Sequence, residues 1–137
     1  MVNLQDIIIS LKDVSFGYET ITLDDCTYTY EVKRYTGSTN VYIRAIEPIK
    51  SDICIPEEIA GYKVTGIDSY AFKRKKNITS ISLPSCVSYF PAEFFYQCSQ
   101  LTNVTCAGII TDIRDYALAD CGIRHFEIPA SVTSIGE

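Results

Sequence analysis

The amino-acid sequence predicts an α/β repeat solenoid, a right-handed array of turns of about 23 residues with a short ladder of parallel strands. Two observations lead to this fold class. One apolar pattern recurs along the chain, and each recurrence contains a segment that alternates like a half-buried strand. The composition agrees, because ten Tyr residues and no Trp, together with many Ile and Thr, favour strands over helices.

The repeat defines residues 54–137 as a solenoid of about three full turns plus a partial fourth. Its apolar positions recur with a single deletion, between Cys121 and Ile123. Successive copies start 23, 23 and 22 residues apart, at Val64, Val87, Ile110 and Val132. One copy has too little apolar surface to fold alone, so we expect the copies to stack as turns around a continuous core.

Each turn is predicted to contain one strand and one short helix. The alternation over residues 81–83 predicts the strand, and residues 104–106 and 126–128 are its equivalents. Residues 53–55 have the same form, so the ladder is expected to start there. The middle of a turn, such as residues 91–96, predicts one or two turns of helix, with Asp68 and Asp112 as caps of the equivalent segments.

The chain before the repeats is predicted to cap the solenoid. Residues 26–53 contain two strand-like runs around a turn rich in Gly, Ser and Asn, which indicates a β-hairpin that covers the first turn. Residues 1–25 form a separate N-terminal segment. In it, Leu4, Ile7, Ile8 and Leu11 follow helical spacing, and a buried strand over residues 7–9 is the alternative.

The stretch from Ile55 to Phe72 resembles the opening of a BspA-like leucine-rich repeat array. Residues 128–136 resemble the linker between turns of the same family, and the resemblance extends over residues 26–137. It implies a leucine-rich-repeat-like, single-sided solenoid that binds other macromolecules. Family members are often bacterial or protist surface proteins, whereas this chain is short and shows no export signal.

The outward positions of the strand ladder are the first candidate binding residues, because they vary without harm to the core. They are small and polar: Ser80, Ser82, Asn103, Thr105, His125 and Glu127. Aromatic anchors, which dominate binding hot spots, lie in the hairpin and the turns: Tyr35, Tyr42, Tyr89 and Tyr96. We therefore expect protein binding through the hairpin and turn edges as well as through the ladder.

The sequence contains no constellation typical of catalysis. The single histidine, His125, has Glu127 two residues away but no evident nucleophile, which favours an exposed polar residue over a general base. Phosphate-binding loops, nucleophile elbows and metal-ligand spacings are absent from the sequence. It thus predicts a protein that is not an enzyme and uses no cofactor and no metal.

The six cysteines include no Cys-x-x-Cys pair, and one histidine cannot complete a zinc-binding set. Cys98 and Cys121 occupy equivalent places in successive turns, so we expect them to lie near each other. Reduced thiols that fill the core are the prediction, and a redox switch formed by these two residues is the alternative.

Three functions compete: a protein-interaction module of the leucine-rich repeat type, a small intracellular inhibitor or effector from a phage or pathogen, and a fragment of a surface adhesin. No signal peptide or membrane span is recognised in the sequence, which predicts a cytoplasmic protein unless the chain is a fragment. The net charge of −5 argues against binding to nucleic acid. The protein partner is not identified by the sequence.

The C-terminal face is predicted to form a homodimer. The fourth repeat starts at Val132 and stops at Glu137, so the third turn has little to cover its far side. An uncovered solenoid end exposes apolar side chains and a strand edge. Because isologous contacts are the commonest closed association, we expect a dimer with Ile128, Val132 and Ile135 in or near the contact.

Overall fold

The computed structural model describes residues 18–137, and this part of the chain consists of strands and turns without a helix. The predicted helix around Leu4 to Leu11 lies outside the described residues. The strands are β1 (Tyr18–Leu23), β2 (Cys26–Tyr35), β3 (Ser38–Pro48), β4 (Asp52–Cys54), β5 (Glu58–Ile59), β6 (Tyr62–Ile67), β7 (Ser80–Leu83), β8 (Tyr89–Phe90), β9 (Asn103–Cys106), β10 (Asp112–Ile113) and β11 (Ser134–Ile135).

A five-stranded sheet in the order β1-β2-β3-β6-β5 covers the N-terminal end of the repeats. Strands β2 and β3 form an antiparallel hairpin, and Gly37 supplies the positive φ of 84° that its tight turn needs. Strand β1, from the segment that the sequence set apart as residues 1–25, pairs with the outer edge of β2. On the other side β3 runs parallel to β6 and aligns Val41 with Val64. The hairpin thus joins the first repeat through main-chain pairing.

Two parallel ladders run along the repeats. The predicted ladder contains β4, β7 and β9, and it aligns Ile53 with Ile81 and Ile81 with Val104. A second ladder, which the sequence analysis missed, contains β8, β10 and β11. Its strands are only two residues long, which is too short for alternation to reveal them.

The strand predicted over residues 126–128 is wrong. These residues form no strand and do not pair with β9, so the first ladder stops one turn early. The third repeat lacks one residue between Cys121 and Ile123, and this deletion displaces the rest of the repeat from the register of the earlier turns. Phe126 instead packs against Phe90, with ring centroids 6.0 Å apart.

The helix predicted over residues 91–96 is also wrong, so the fold is a β-solenoid of about four turns and not an α/β array. Glu93 and Gln97 both have a φ of 58°, which interrupts helical hydrogen bonding. Their amides, and that of Phe95 between them, donate to carbonyls of the next turn, in the pairs Glu93–Asp115, Phe95–Ala117 and Gln97–Ala119. Hydrogen bonds between turns therefore replace those that a helix would make within itself.

The two predicted helix caps have other roles. The carboxylate of Asp68 accepts a hydrogen bond from the amide of Tyr70 at 2.9 Å and so stabilises a turn. Asp112 lies within β10 and pairs with Tyr89 on β8.

Stacked phenylalanine rings fill the centre of the solenoid. Phe72, Phe90, Phe94 and Phe95 are all 0% exposed, and the centroids of Phe94 and Phe95 lie 4.4 Å apart. Phe72 from one turn contacts both Phe94 and Phe95 from the next, at 5.2 and 5.4 Å. Contact between consecutive turns thus creates one continuous core, as the repeat pattern predicts.

All six cysteines are free thiols in this structure, and they differ in exposure. Cys98 is fully buried, and its Sγ donates to the carbonyl oxygen of Phe72 at 2.8 Å. Burial raises the pKa of Cys98 to about 11, to which the nearby Cys121 adds a smaller contribution. Since the thiolate is the reactive form, Cys98 is a poor candidate for a redox switch at neutral pH.

Replacing a core phenylalanine should destabilise the protein strongly. We expect Phe72→Ala and Phe95→Ala each to lower the free energy of unfolding by about 3–5 kcal/mol, because each leaves a cavity among fully buried rings. The control His125→Ala, whose side chain is 85% exposed, should change it by less than about 0.5 kcal/mol. Denaturant titration measures all three values. Equal stability of Phe95→Ala and the wild type would contradict the stacking of these rings.

The cysteines should differ in their reaction with an alkylating agent. Cys54 is exposed and should react first in the native protein, whereas Cys26 and Cys98 should react only after denaturation. Peptide mapping after timed labelling distinguishes the three residues. Rapid native labelling of Cys98, or a disulfide between Cys98 and Cys121, would contradict the buried position.

Candidate binding surface

Four of the predicted ladder residues share the outer face of the β4-β7-β9 ladder. Ser80 pairs in register with Asn103, and Ser82 with Thr105. The hydroxyl groups of Ser82 and Thr105 lie 2.9 Å apart, and the hydroxyl of Ser80 donates to Asp52. Much of the hydrogen-bonding capacity of this face is therefore used within the ladder, and its side chains are small.

His125 and Glu127 do not join that face, because their segment forms no strand. His125 Nε2 and Glu127 Oε1 lie 3.9 Å apart, and the two side chains are 85% and 91% exposed. A contact this long between exposed groups contributes little and does not organise a site. The structure thus separates these two residues from the other four.

Tyr42 and Tyr89, two of the four predicted aromatic anchors, lie close together where the hairpin meets the repeats, with Tyr42 on β3 and Tyr89 on β8. The phenol group of Tyr89 lies near enough to Tyr42 to raise its pKa. The guanidinium of Arg44 lies 4.5 Å from the ring centroid of Tyr42, and that of Arg114 lies 4.5 Å from the centroid of Tyr89. Tyr18 adds a third ring, 5.6 Å from Arg44. We call these five residues the tyrosine–arginine surface.

Arg44 is held on this surface by two carboxylates. Its Nη2 donates to Glu31 at 2.6 Å and its Nη1 donates to Asp68 at 3.0 Å. Burial lowers the pKa of Arg44, but its hydrogen bonds to Glu31 and Asp68 outweigh that effect and raise the pKa overall. Among the described residues, Arg44 Nε is the one buried side-chain nitrogen or oxygen without a hydrogen-bond partner. The side chain is therefore a fixed part of the surface.

Tyr42 is half-buried beneath charged neighbours. Besides Arg44, the ammonium of Lys33 lies 4.5 Å from its ring centroid. The pKa of Tyr42 is raised to about 12, chiefly by burial, with smaller contributions from the neighbouring Tyr89 and Asp68. Two cations on one ring make Tyr42 the central contact of the surface.

Arg114 differs from Arg44 in its charge balance. It is exposed and stacked on Tyr89, but it forms no ion pair with a carboxylate of residues 18–137. Its planar guanidinium offers donors that suit a carboxylate in two-point contact. Arg114 is thus a cation held against Tyr89 whose charge no carboxylate of the described residues neutralises by an ion pair.

The other two predicted anchors lie apart from this surface. Tyr35 is 58% exposed at the end of the hairpin. Tyr96 is half-buried in the middle of a turn, where the ammonium of Lys73 lies 5.5 Å from its ring. Lys73 is paired with Glu93 at 2.7 Å, so this contact is already neutralised.

The predicted dimer residues lie at the C-terminal end. Ile128 and Ile135 are 54% and 56% exposed, whereas Val132 is half-buried and packs against the core. A shallow, mainly apolar depression of about 350 Å³ lies at this end and is lined in part by Ile113, Leu118 and Ile135. These residues give the C-terminal part of the described repeats an exposed apolar area.

The described residues contain no group of three or more His, Cys, Asp or Glu side chains placed to hold a metal ion. Over the same range, no helix has the length and apolar character needed to cross a membrane.

Sequence reasoning missed Arg44, Arg114 and Tyr18 as members of the surface. The sequence does mark the equivalent positions of the two tyrosines in this surface, because Tyr42 directly precedes the buried strand residue Ile43 and Tyr89 directly precedes the buried Phe90. The parallel pairing of β3 with β6, which brings the hairpin beside the repeats, had no such signal.

Solved structures of bacterial leucine-rich repeat proteins resemble this fold, whereas no curated protein matches the chain. A leucine-rich repeat protein from Bacteroides capillosus is 24% identical, with a TM-score of 0.70 over 85% of this chain and 86% of that one. The T. pallidum leucine-rich repeat protein TpLRR is 19% identical, with a TM-score of 0.67 over 90% of this chain and 52% of that one. This chain therefore spans about half the length of TpLRR.

A third structure, a leucine-rich repeat protein from Bacteroides ovatus, is 22% identical with a TM-score of 0.57, over 85% of this chain and 37% of that one. At these identities the likeness shows the fold alone. The family model described as "BspA type Leucine rich repeat region (6 copies)" matches residues 52–137, which is most of the chain. The repeat register, the solenoid and this match agree that the chain belongs to the BspA-type leucine-rich repeat family.

Proposed function

We propose that this protein is a non-catalytic protein-interaction module that binds its partner through the tyrosine–arginine surface. The observation that carries the proposal is the assembly of Tyr18, Tyr42, Arg44, Tyr89 and Arg114 where the hairpin meets the repeats, with cations stacked on rings. Tyr and Arg are the residue types that dominate binding energy in protein interfaces. Their fixed positions reduce the entropy that binding would otherwise cost.

The charges of the surface favour a partner that presents a carboxylate. Arg44 is neutralised by Glu31 and Asp68, whereas Arg114 forms no ion pair with the described residues. An acidic side chain of the partner can accept two hydrogen bonds from Arg114 while its aliphatic part packs on Tyr89. A partner surface with an exposed Asp or Glu beside apolar groups fits this arrangement.

The outer face of the β4-β7-β9 ladder serves as the control surface, because we expect it to contribute less binding energy than the tyrosine–arginine surface. Ser82 and Thr105 hydrogen-bond to each other and offer no large side chain to bury. We expect such residues to contribute shape complementarity and little binding energy.

Affinity capture with matched variants tests the proposal. The baits are the wild type, the surface variant Tyr89→Ala/Arg114→Ala and the ladder variant Ser82→Ala/Thr105→Ala. We expect at least one protein bound by the wild type and the ladder variant to be lost from the surface variant. With that protein purified, the surface variant should bind about 30-fold more weakly or worse, which corresponds to a hot-spot loss of about 2 kcal/mol.

Thermal unfolding of both variants checks that the substitutions leave the fold intact. If the ladder variant loses the partner while the surface variant keeps it, the binding site is the ladder and the proposal is wrong.

We also propose that two copies associate through the apolar C-terminal end. Ile128 and Ile135 are exposed in this part of the chain, and Ile135 lines the depression together with Ile113 and Leu118. Light scattering should report about twice the chain mass of 15.3 kDa. Val132→Asp should shift the protein toward monomer, because a charge placed against the core edge opposes contact. A monomer at high micromolar concentration would contradict the dimer.

A further inference from the structure

Gly66 is the one residue without a side chain among four equivalent positions of the repeats. The third residue of each repeat start is Gly66, Tyr89, Asp112 and Ser134 in successive turns. Gly66 is paired with Tyr42 on β3, and Asp112 is paired with both Tyr89 and Ser134. Tyr42 is therefore paired with the one residue of this set that has no side chain.

The backbone does not require glycine at this position. Positive φ angles among the glycines of the described residues occur at Gly37 and Gly61, and Gly66 has none. A residue with a side chain could adopt the same backbone conformation, so the reason for glycine must be space.

Space is limiting because the ring of Tyr42 lies on the backbone of β6. A Cβ added to Gly66 would stand 2.6 Å from Tyr42 Cε2 and closer still to Cδ2. Carbon atoms in contact are normally about 3.5–4.0 Å apart, so an alanine would have to push the ring away.

We infer that Gly66 is a positioning residue of the binding surface: the missing side chain lets Tyr42 lie across β6 and reach Tyr89. The ring in this position carries Arg44 and Lys33, each 4.5 Å from its centroid. One glycine on the solenoid therefore sets the relative position of groups from both the hairpin and the repeats. The consequence for binding depends on the proposed function, but the position of Tyr42 can be tested without a partner.

The test is the pKa of Tyr42 in Gly66→Ala. In the wild type it is raised to about 12, chiefly by burial, and displacement of the ring into solvent should bring it toward the ordinary value of 10. Absorbance titration should then show one more tyrosine that ionises normally, and this gain should be absent in Gly66→Ala/Tyr42→Phe.

Gly108→Ala is the matched control. It also replaces a glycine that another part of the backbone approaches closely, since an added Cβ would stand 2.8 Å from the carbonyl carbon of Ser85. Gly108 belongs to the next turn, and Tyr42 is not among the atoms that its added Cβ would meet. We expect it to lower the melting temperature and leave the tyrosine titration unchanged. An unchanged Tyr42 pKa in Gly66→Ala would overturn the inference.

A thermal-unfolding cycle keeps the test valid if Gly66→Ala folds poorly. The loss of melting temperature caused by Gly66→Ala should largely disappear in a Tyr42→Ala background, because the clashing ring is gone. An equal loss in both backgrounds would overturn the inference. If Tyr42 moves in Gly66→Ala but an identified partner still binds with wild-type affinity, the positioning role stands and the proposed binding surface fails.

Discussion

The structure depends on hydrogen bonds between consecutive turns, because the middle of a turn satisfies only part of its own backbone. Residues in the left-handed backbone conformation, such as Glu93, Gln97 and Tyr116, donate their amides to carbonyls of the next turn. Each amide reaches a carbonyl only if the next turn lies in register beside it, and buried amides without an acceptor are costly. The same register stacks Phe72 on Phe94 and Phe95, so core packing and backbone pairing require the same alignment.

This alignment also creates the tyrosine–arginine surface. Strand β3 pairs with β6 at the spacing of one repeat, since Val41 aligns with Val64, and it therefore acts as the strand of a preceding turn. This pairing places Arg44 in an ion pair with Asp68 and places Tyr42 beside Tyr89 of the repeats. A hairpin that merely covered the end would leave the two halves of the surface unconnected.

The repeat, its core and the first ladder could be predicted because apolar spacing records them directly, as at Ile53, Ile81 and Val104. The conformation within a turn could not, because residues 91–96 resemble a short helix that starts at Pro91, whereas their structure comes from hydrogen bonds to the next turn. Residues 126–128 have the strand pattern, but a single deletion upstream removes their pairing. Of the surface, Tyr42 and Tyr89 were recognised as anchors, whereas their cations became visible only through the β3–β6 pairing.

The stacking of turns has a consequence for how the chain folds. Partners in neighbouring turns are separated by similar numbers of residues along the sequence, such as 28 for Asp52 and Ser80, 23 for Ser82 and Thr105, and 22 for Thr133 and Thr111. Closing a loop of one repeat has nearly the same entropic cost at each step. Ordering can therefore start at any adjacent pair of turns and spread outward, and the antiparallel hairpins β1–β2 and β2–β3 offer local starting points.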